Sequence, residues 1–527
     1  MNPLENFASF SITPSRSSRW INRSRIRSGF AITILICLAG AGPALASEKL
    51  GSAVIQNSSV YGPPELFDVY KEYLGRTITE NTAADIANAL QRKYLDDGYS
   101  RPGYKIEDRG TASGIVRITL VEASISNVSI TGETGPYRKK LERLVADLPS
   151  EQSLRPREIS DVLRDAHRLP GIELRVAAEP DGQQSGRYTL AVDSAYSPFE
   201  GSVKVSNRGT REIDRDILFA RVVANGLFAR EIAAGLFVTS AKDTDDYAGG
   251  GFSANAAIGA DGTIVQLQGA VTSLSYDVQN IRVDQDRTRS VVRLSHPFLR
   301  ESVRDLSLWT GLVTEDMDVA LDSAGSREER LRSLEAGATL SWRKHEKQHL
   351  LALEFEQGLK GLGSRIDNVS TLDDPPTTDF SIARLRYTRL TRLGDLWSWR
   401  LDSLAQASPH LLPSIKRFKV GGGRIGRGFE AAAISGDRGV GGKVQLARRV
   451  ASGVVWLERA DLYGFYDVGS AWRNDASDRE SASSTGIGVS LRDGRLSGYL
   501  ELAKALTHAD ADGRKDVGLF AEVSFLF

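Results

Sequence analysis

Val517-Gly518-Leu519-Phe520-Ala521-Glu522-Val523-Ser524-Phe525-Leu526-Phe527 reads as one alternating strand. Side chains on a strand alternate with period two, so Val517, Leu519, Ala521, Val523, Phe525 and Phe527 share a greasy face. Gly518, Glu522 and Ser524 fall on the other face, with Phe520 and Leu526 as apolar exceptions. A soluble domain would bury the greasy face. A transmembrane barrel would turn it to lipid and leave Glu522 in a wet lumen. Which of the two applies decides the fold.

Composition leaves both open. Hydrophobic residues make up 41% of the 527, and barrel strands average to a soluble-looking hydropathy because they alternate. Beyond the N-terminus no stretch is long and apolar enough for a membrane helix. The N-terminus itself reads as an export signal over residues 1–46. Arg16, Arg19, Arg23, Arg25 and Arg27 precede an apolar run from Phe30 to Leu38, and Ala44-Leu45-Ala46 offers a small-residue cleavage site before Ser47. Cys37, the only cysteine, leaves with that segment, so a mature chain has no disulfides and no thiolate chemistry. Losing five arginines and one glutamate takes the 67 basic and 67 acidic residues to 62 and 66, a net charge of −4. No basic bias points to nucleic acid.

Residues 51–123 and 124–195 read as two small α/β units. In the first, Pro64–Leu74 and Glu80–Asp97 are expected as helices; Ile86, Leu90 and Tyr94 recur at i, i+4, i+8 beside Ala83 and Ala87. Gly98 stops the second helix. Strands Tyr104–Ile106 and Ile115–Glu122 follow. The second unit repeats the plan, with strand Ile125–Ile130, helices Tyr137–Leu148 and Arg155–Leu169, and strands Glu173–Ala178 and Arg187–Val192 around a Pro180-Asp181-Gly182 turn. Which edge of either sheet is free is not legible.

After about residue 197 alternation replaces helical periodicity. Leu334, Ala336, Ala338, Leu340 and Trp342 alternate with Glu335, Gly337, Thr339 and Ser341; Trp397, Trp399 and Leu401 alternate with Ser398, Arg400 and Asp402. Short connections such as Gly259–Gly262 and long ones such as Gly361–Asp379 and Asn474–Ser484 separate these segments. Counting them predicts about sixteen antiparallel strands over 197–527, an outer-membrane barrel. A two-sheet soluble sandwich would struggle to cover so many one-sided greasy strands.

Two motifs suggest chemistry and lack its context. His345-Glu346-Lys347-Gln348-His349 fits H-E-x-x-H. Zinc chemistry needs both imidazoles one helical turn apart on one face, whereas this segment lies between alternating strands and reads as a charged hairpin tip. Gly421-Gly422-Gly423-Arg424-Ile425-Gly426 fits G-x-G-x-x-G without the parallel α/β setting of a dinucleotide site. There is no Walker A sequence. No catalytic residue, metal or cofactor is therefore expected, and the chain does not read as an enzyme.

The glycine loop continues into Arg427-Gly428-Phe429-Glu430, and Phe465-Tyr466-Asp467-Val468-Gly469 follows downstream. On that second strand Ala460, Leu462, Gly464, Tyr466 and Val468 form the face lipid must meet, so Phe465 and Asp467 point into the lumen. An arginine on an inward-folded loop around 419–432 could reach Asp467 there through charge-assisted hydrogen bonds. The pair resembles the Arg-Gly-Phe/Tyr loop tip (Arg427, Gly428, Phe429) and the F-x-D-x-G wall motif (Phe465, Asp467, Gly469) of outer-membrane barrels that insert or translocate polypeptides. Two α/β units resemble the POTRA domains of the two-partner secretion transporters, the ShlB/FhaC/HecB family. Tyr94–Tyr99, Leu169–Ile172, Pro180–Gly182 and the opening Asn207-Arg208-Gly209 are similar to that family's local words. Gly426 departs from it, standing where relatives often carry Val. Few residues separate Ser47 from the first unit, so a plug helix is not expected.

The resemblance implies a translocase in a Gram-negative outer membrane. Its POTRA domains would be periplasmic, its cargo an unfolded exported protein, and its other partners outer-membrane lipid and, during insertion, the barrel-assembly machinery. Rival readings are an assembly factor that inserts other barrels and a passive porin or receptor barrel. The terminal Phe527 resembles a C-terminal barrel-insertion signal, and its strand is expected to close the barrel against Gly201–Asn207.

Overall fold

The computed structural model describes residues 48–527 except 150–152, 182–185, 211–212, 260, 279–280, 302, 323–324, 368–375, 451–456, 476–478 and 508–516. The export signal expected over 1–46 lies outside the described residues.

The first α/β unit runs β1 (Ser52–Gln56), α1 (Pro63–Tyr70), α2 (Thr82–Asp96), β2 (Gly103–Arg109) and β3 (Ile115–Val121). Its sheet has the order β1-β3-β2, with β1 parallel and β2 antiparallel to β3. The apolar stripe of α2 (Ala83, Ile86, Ala87, Leu90, Tyr94) packs on Val116, Ile118 and Leu120 of β3, and all are buried. Period 3.6 meets period 2 across one interface, which is why each element needs only one greasy side. Beyond α2, Asp97 takes the Tyr61 hydroxyl at 2.6 Å and the Lys93 ammonium at 3.1 Å. Those two donors hold its carboxyl below the ordinary range.

The second unit repeats the order with β4 (Ser124–Gly132), α3 (Arg138–Val145), α4 (Pro156–Ala166), β5 (Ile172–Pro180) and β6 (Arg187–Tyr196). Its sheet runs β4-β6-β5, again with one parallel and one antiparallel pairing. Both units are of the POTRA type. The strands Ile115–Glu122 and Arg187–Val192 are thus the sheet centres, and β1, β2, β4 and β5 are the edges.

The second unit is tied to the barrel by several contacts. The Tyr137 hydroxyl donates to the Arg230 carbonyl at 3.2 Å, and Tyr196 to that of Asn225 at 2.8 Å. Lys140 pairs with Glu231, Arg300 with Asp165 at 3.6 Å, and Arg168 with Asp305 at 3.8 Å.

Sixteen antiparallel strands, from Phe199–Ser206 to Val517–Leu526, close the barrel. A three-residue ladder, Arg365–Asp367, pairs with Gly325–Lys344 without entering the wall, because Lys347–Gly358 pairs directly with Ser381–Leu393. No described helix is long and apolar enough to cross a membrane, and this fold crosses with strands. A crossing takes about 10 residues. The 20-residue strands Ile281–Arg300 and Gly325–Lys344 therefore project well past it, away from the POTRA end. There the outward face turns charged: Arg330 meets Asp318 at 2.7 Å and Arg332 meets Asp316.

The stretch Asn474–Ser484, expected as a loop, is a correction. The strand Arg479–Asp493 begins inside it and pairs Trp472 with Arg479 and Asp467 with Ser484. Its small residues imitate turn chemistry, yet Ala482 and Ser484 are buried against the loop that fills the lumen.

The seam is short. Five residue pairs, Ser202–Leu526 to Ser206–Glu522, join the last strand to the first. Phe527 and Gly201 exchange backbone hydrogen bonds at 3.0 and 2.8 Å. Asn207 prolongs the ladder with its side chain: Nδ2 donates to the Leu519 carbonyl at 3.0 Å and Oδ1 accepts from the Ala521 amide at 2.7 Å.

Candidate functional site

Between the strands Trp397–Ala407 and Arg438–Val450 the chain does not turn directly. Residues 408–437 fold into the lumen, and the strands Phe418–Val420 and Ile434–Gly436 pair as a hairpin. Its underside is apolar: Phe418, Val420, Ile425, Phe429 and Ile434 pack with Ala471, Ala482 and Ala505 of the wall. Small wall residues let the hairpin approach. A Cβ on Gly469 would sit 2.8 Å from the Val420 side chain, and one on Gly428 would meet the Lys504–Ala505 backbone at 2.8 Å. This accounts for a glycine in each motif by close packing.

Arg427 lies at the tip, buried. Its Nε and Nη2 form a fork on Asp467, 3.0 Å to Oδ2 and 2.9 Å to Oδ1. The backbone amides of Arg427 and Gly426 add 3.0 and 3.2 Å bonds to Oδ2. The guanidinium lies over the Phe465 ring, 3.5 Å from its centroid. Its remaining nitrogen, Nη1, donates to Gln445 at 3.0 Å and to Glu501 at 3.1 Å. Glu501 also accepts from Arg208 and, at 3.0 Å, from the Tyr463 hydroxyl. Arg208 in turn donates to the Tyr499 hydroxyl at 2.7 Å and stacks on Phe520 at 4.2 Å. Two cations, Arg427 and Arg208, thus face two anions, Asp467 and Glu501. That balance lets four charges stay buried, since a lone one would cost several kcal/mol. Every member is a hydrogen-bonding or ion-pairing group, so the cluster can hold or release a segment.

The base of the loop is anchored on the opposite wall. Buried Lys416 places Nζ 3.0 Å from Glu315 and also against Glu356. Glu356 takes the Ser333 hydroxyl at 2.7 Å and Arg384 at 2.7 Å; Glu315 takes Arg287. Asp437 accepts from the Leu412 and Asn474 amides, each at 2.8 Å. The loop is thus a crossbar pinned at both ends.

All six predicted motif residues come together here: Arg427, Gly428 and Phe429 on the loop, and Phe465, Asp467 and Gly469 on the wall. Sequence reading missed Glu501, Arg208, Gln445 and the Lys416 cluster. Alternation alone marks Glu501 as lumen-facing between Leu500 and Leu502, but nothing local says which cation it meets. His345 forms a two-residue hairpin turn with Glu346, at φ 52°, and His349 lies on the outward face stacked on Trp342. The two imidazoles do not share a helical face. Glu335, Glu354 and Glu356 converge in the lumen, but Arg293, Arg384 and Lys416 already occupy them.

The geometry defines a class: an outer-membrane β-barrel with POTRA-type units and a loop locked in its lumen. Residues 241–492 match the model of the family described as haemolysin secretion/activation protein ShlB/FhaC/HecB. Over that segment, just under half of its length, the chain is similar to the ShlB/FhaC/HecB family. The fold is similar to CdiB from Escherichia coli, with 18% identity, 93% of each chain covered and a TM-score of 0.66. It is also similar to CdiB from Acinetobacter baumannii, with 14% identity over 93% of this chain and 91% of that one and a TM-score of 0.57. BamA from Haemophilus ducreyi lacking POTRA domains 1–3 matches at 11% identity over 91% and 99%, with a TM-score of 0.53. At such identities these likenesses concern the fold alone. No curated protein sequence matches the chain.

Proposed function

We propose that this chain secretes an unfolded exported protein through its barrel, with the POTRA-type units in the periplasm and residues 408–437 as the gate. The observation that carries the reading is the Arg427–Asp467 fork. It fastens a loop across the lumen by hydrogen bonds and ion pairs, which a passing chain can displace without chemistry. Capture of the cargo fits the sheet edges. An extended client can add a strand at β2 or β5, gaining backbone hydrogen bonds that are tolerant of sequence. Folding of the cargo outside would bias its movement.

The test is Arg427→Ala in cells that carry the cargo, identified by comparing secreted proteins with and without this gene. Secretion should fall at least tenfold while the barrel persists in the outer membrane at equal abundance. Undiminished secretion by that variant would overturn the gate.

The second reading is an assembly factor for other barrels, which the same barrel and inward loop would equally suit. It predicts that deleting the gene depletes several outer-membrane proteins, whereas the secretion reading predicts the loss of a particular exported protein.

A further inference from the structure

We propose that the outward face of the barrel, near its POTRA end, holds the phosphate of an anionic phospholipid between Arg389 and Arg448. The inference rests on the barrel crossing a membrane and not on what passes through it.

Register places the residues in rows across five neighbouring strands. Trp342, His349, Arg389 and Leu401 stand side by side on the outward face. One pair nearer the POTRA end come Lys344, Lys347, Thr391, Trp399 and Leu446; one further, Leu393, Trp397 and Arg448. In the opposite direction the same face is apolar, with Leu340, Leu351, Leu353, Phe355 and Leu385. An aromatic girdle therefore borders a greasy band, the arrangement of a barrel where hydrocarbon gives way to headgroups.

The girdle is organised. Trp342 and His349 stack with centroids 4.6 Å apart and planes within 3°. His349 Nδ1 lies 2.9 Å from the Tyr387 hydroxyl. Arg389 lies over the Trp399 ring at 4.9 Å and Arg448 over Trp397 at 5.6 Å. Arg389 Nε donates to Thr391 at 3.2 Å, which aims the rest of its fork away from the backbone.

What points to a ligand is the charge. Among the described residues Arg389, Arg448, Lys344 and Lys347 have no carboxylate partner; of the acids nearest in sequence, Glu346 and Asp395 lie in the turns below and Glu458 just ahead of the strand Arg459–Trp472. At the far end of the same outward face Arg330 and Arg332 are neutralised by Asp318 and Asp316. Cations on a lipid face are costly at midplane and cheap at the interface, where an arginine fork matches a phosphate. The complementary anion within reach is the headgroup of the leaflet on the POTRA side. The half-motif His349, idle as a zinc ligand, becomes a girdle residue.

The experiment uses the full chain in vesicles of phosphatidylcholine alone or mixed with phosphatidylglycerol. Retained lipid is read by native mass spectrometry and thermal unfolding by gel mobility. Wild type should retain phosphatidylglycerol selectively and unfold at a higher temperature in its presence. Arg389→Gln with Arg448→Gln should weaken retention roughly 30-fold, at about fivefold per arginine near a charged surface, while Arg330→Gln at the far end should leave it unchanged. If the double variant does not fold, Arg389→Lys, which keeps charge but loses the fork, should still reduce selectivity. Equal retention of both lipids by wild type, retention unaffected in the double variant, or displacement of the lipid by inorganic phosphate would each overturn the site.

Discussion

At the scale of residues, Asp467 is the most heavily used carboxylate of the lumen site. It is fully buried and accepts four hydrogen bonds, two from backbone amides and two from the Arg427 fork. An amide in its place offers one acceptor oxygen and turns an NH2 group toward donors. Asp467→Asn should therefore cost about 3–5 kcal/mol of loop attachment, the range for breaking a buried pair by removing one partner. The wall keeps its backbone ladder, so the variant should still assemble and should conduct more current than wild type in a planar bilayer. A closed channel in Asp467→Asn would count against the lock. Arg427 was legible because its motif and the inward face of Phe465 and Asp467 come from local words and period two. Glu501 and Arg208 were not, since their meeting depends on how residues 208 and 501 approach around the closing barrel.

At the scale of elements, the inward loop has two attachments of different make. The tip is a fork on one wall; the base is Lys416 between Glu315 and Glu356 on the other. Replacing Lys416 by Met removes one cation and leaves each glutamate an arginine, Arg287 or Arg384. Conductance in Lys416→Met should rise less than in Asp467→Asn, because Asp437 still ties the base to the Leu412 and Asn474 amides. A rise as large as that of Asp467→Asn would show that the base, and not the tip, governs closure. The mistaken loop at Asn474–Ser484 belongs to this scale too. Small polar residues signal a turn when solvent surrounds them, but here they line a wall against which another element packs.

At the scale of the whole molecule, the seam decides closure. The last strand meets the first over five residue pairs, fewer than any other neighbouring strands of the wall share. Val205 and Val523 are direct partners with outward, exposed side chains. Cysteines at both should cross-link on oxidation, since paired Cα atoms on adjacent antiparallel strands fall within about 5.5 Å, inside the reach of a disulfide. Absence of the cross-link in membranes that contain folded protein would place the closing strands elsewhere. If the wall opens here during secretion, the oxidised form should secrete less than the reduced form; equal secretion would assign passage to the lumen alone.

The sequence by itself determined the periodicities, and with them two α/β units, a run of one-sided strands and the inward direction of Asp467. Those follow from local geometry, in which each side chain's face is set by its position along its own element. The tertiary structure alone decided which lumen charges meet, that Lys416 anchors the loop opposite its tip, and that Arg389 and Arg448 flank the same pair of indoles. Such pairings join residues far apart in the chain, and their distances are set by strand register and barrel closure, which no local pattern encodes.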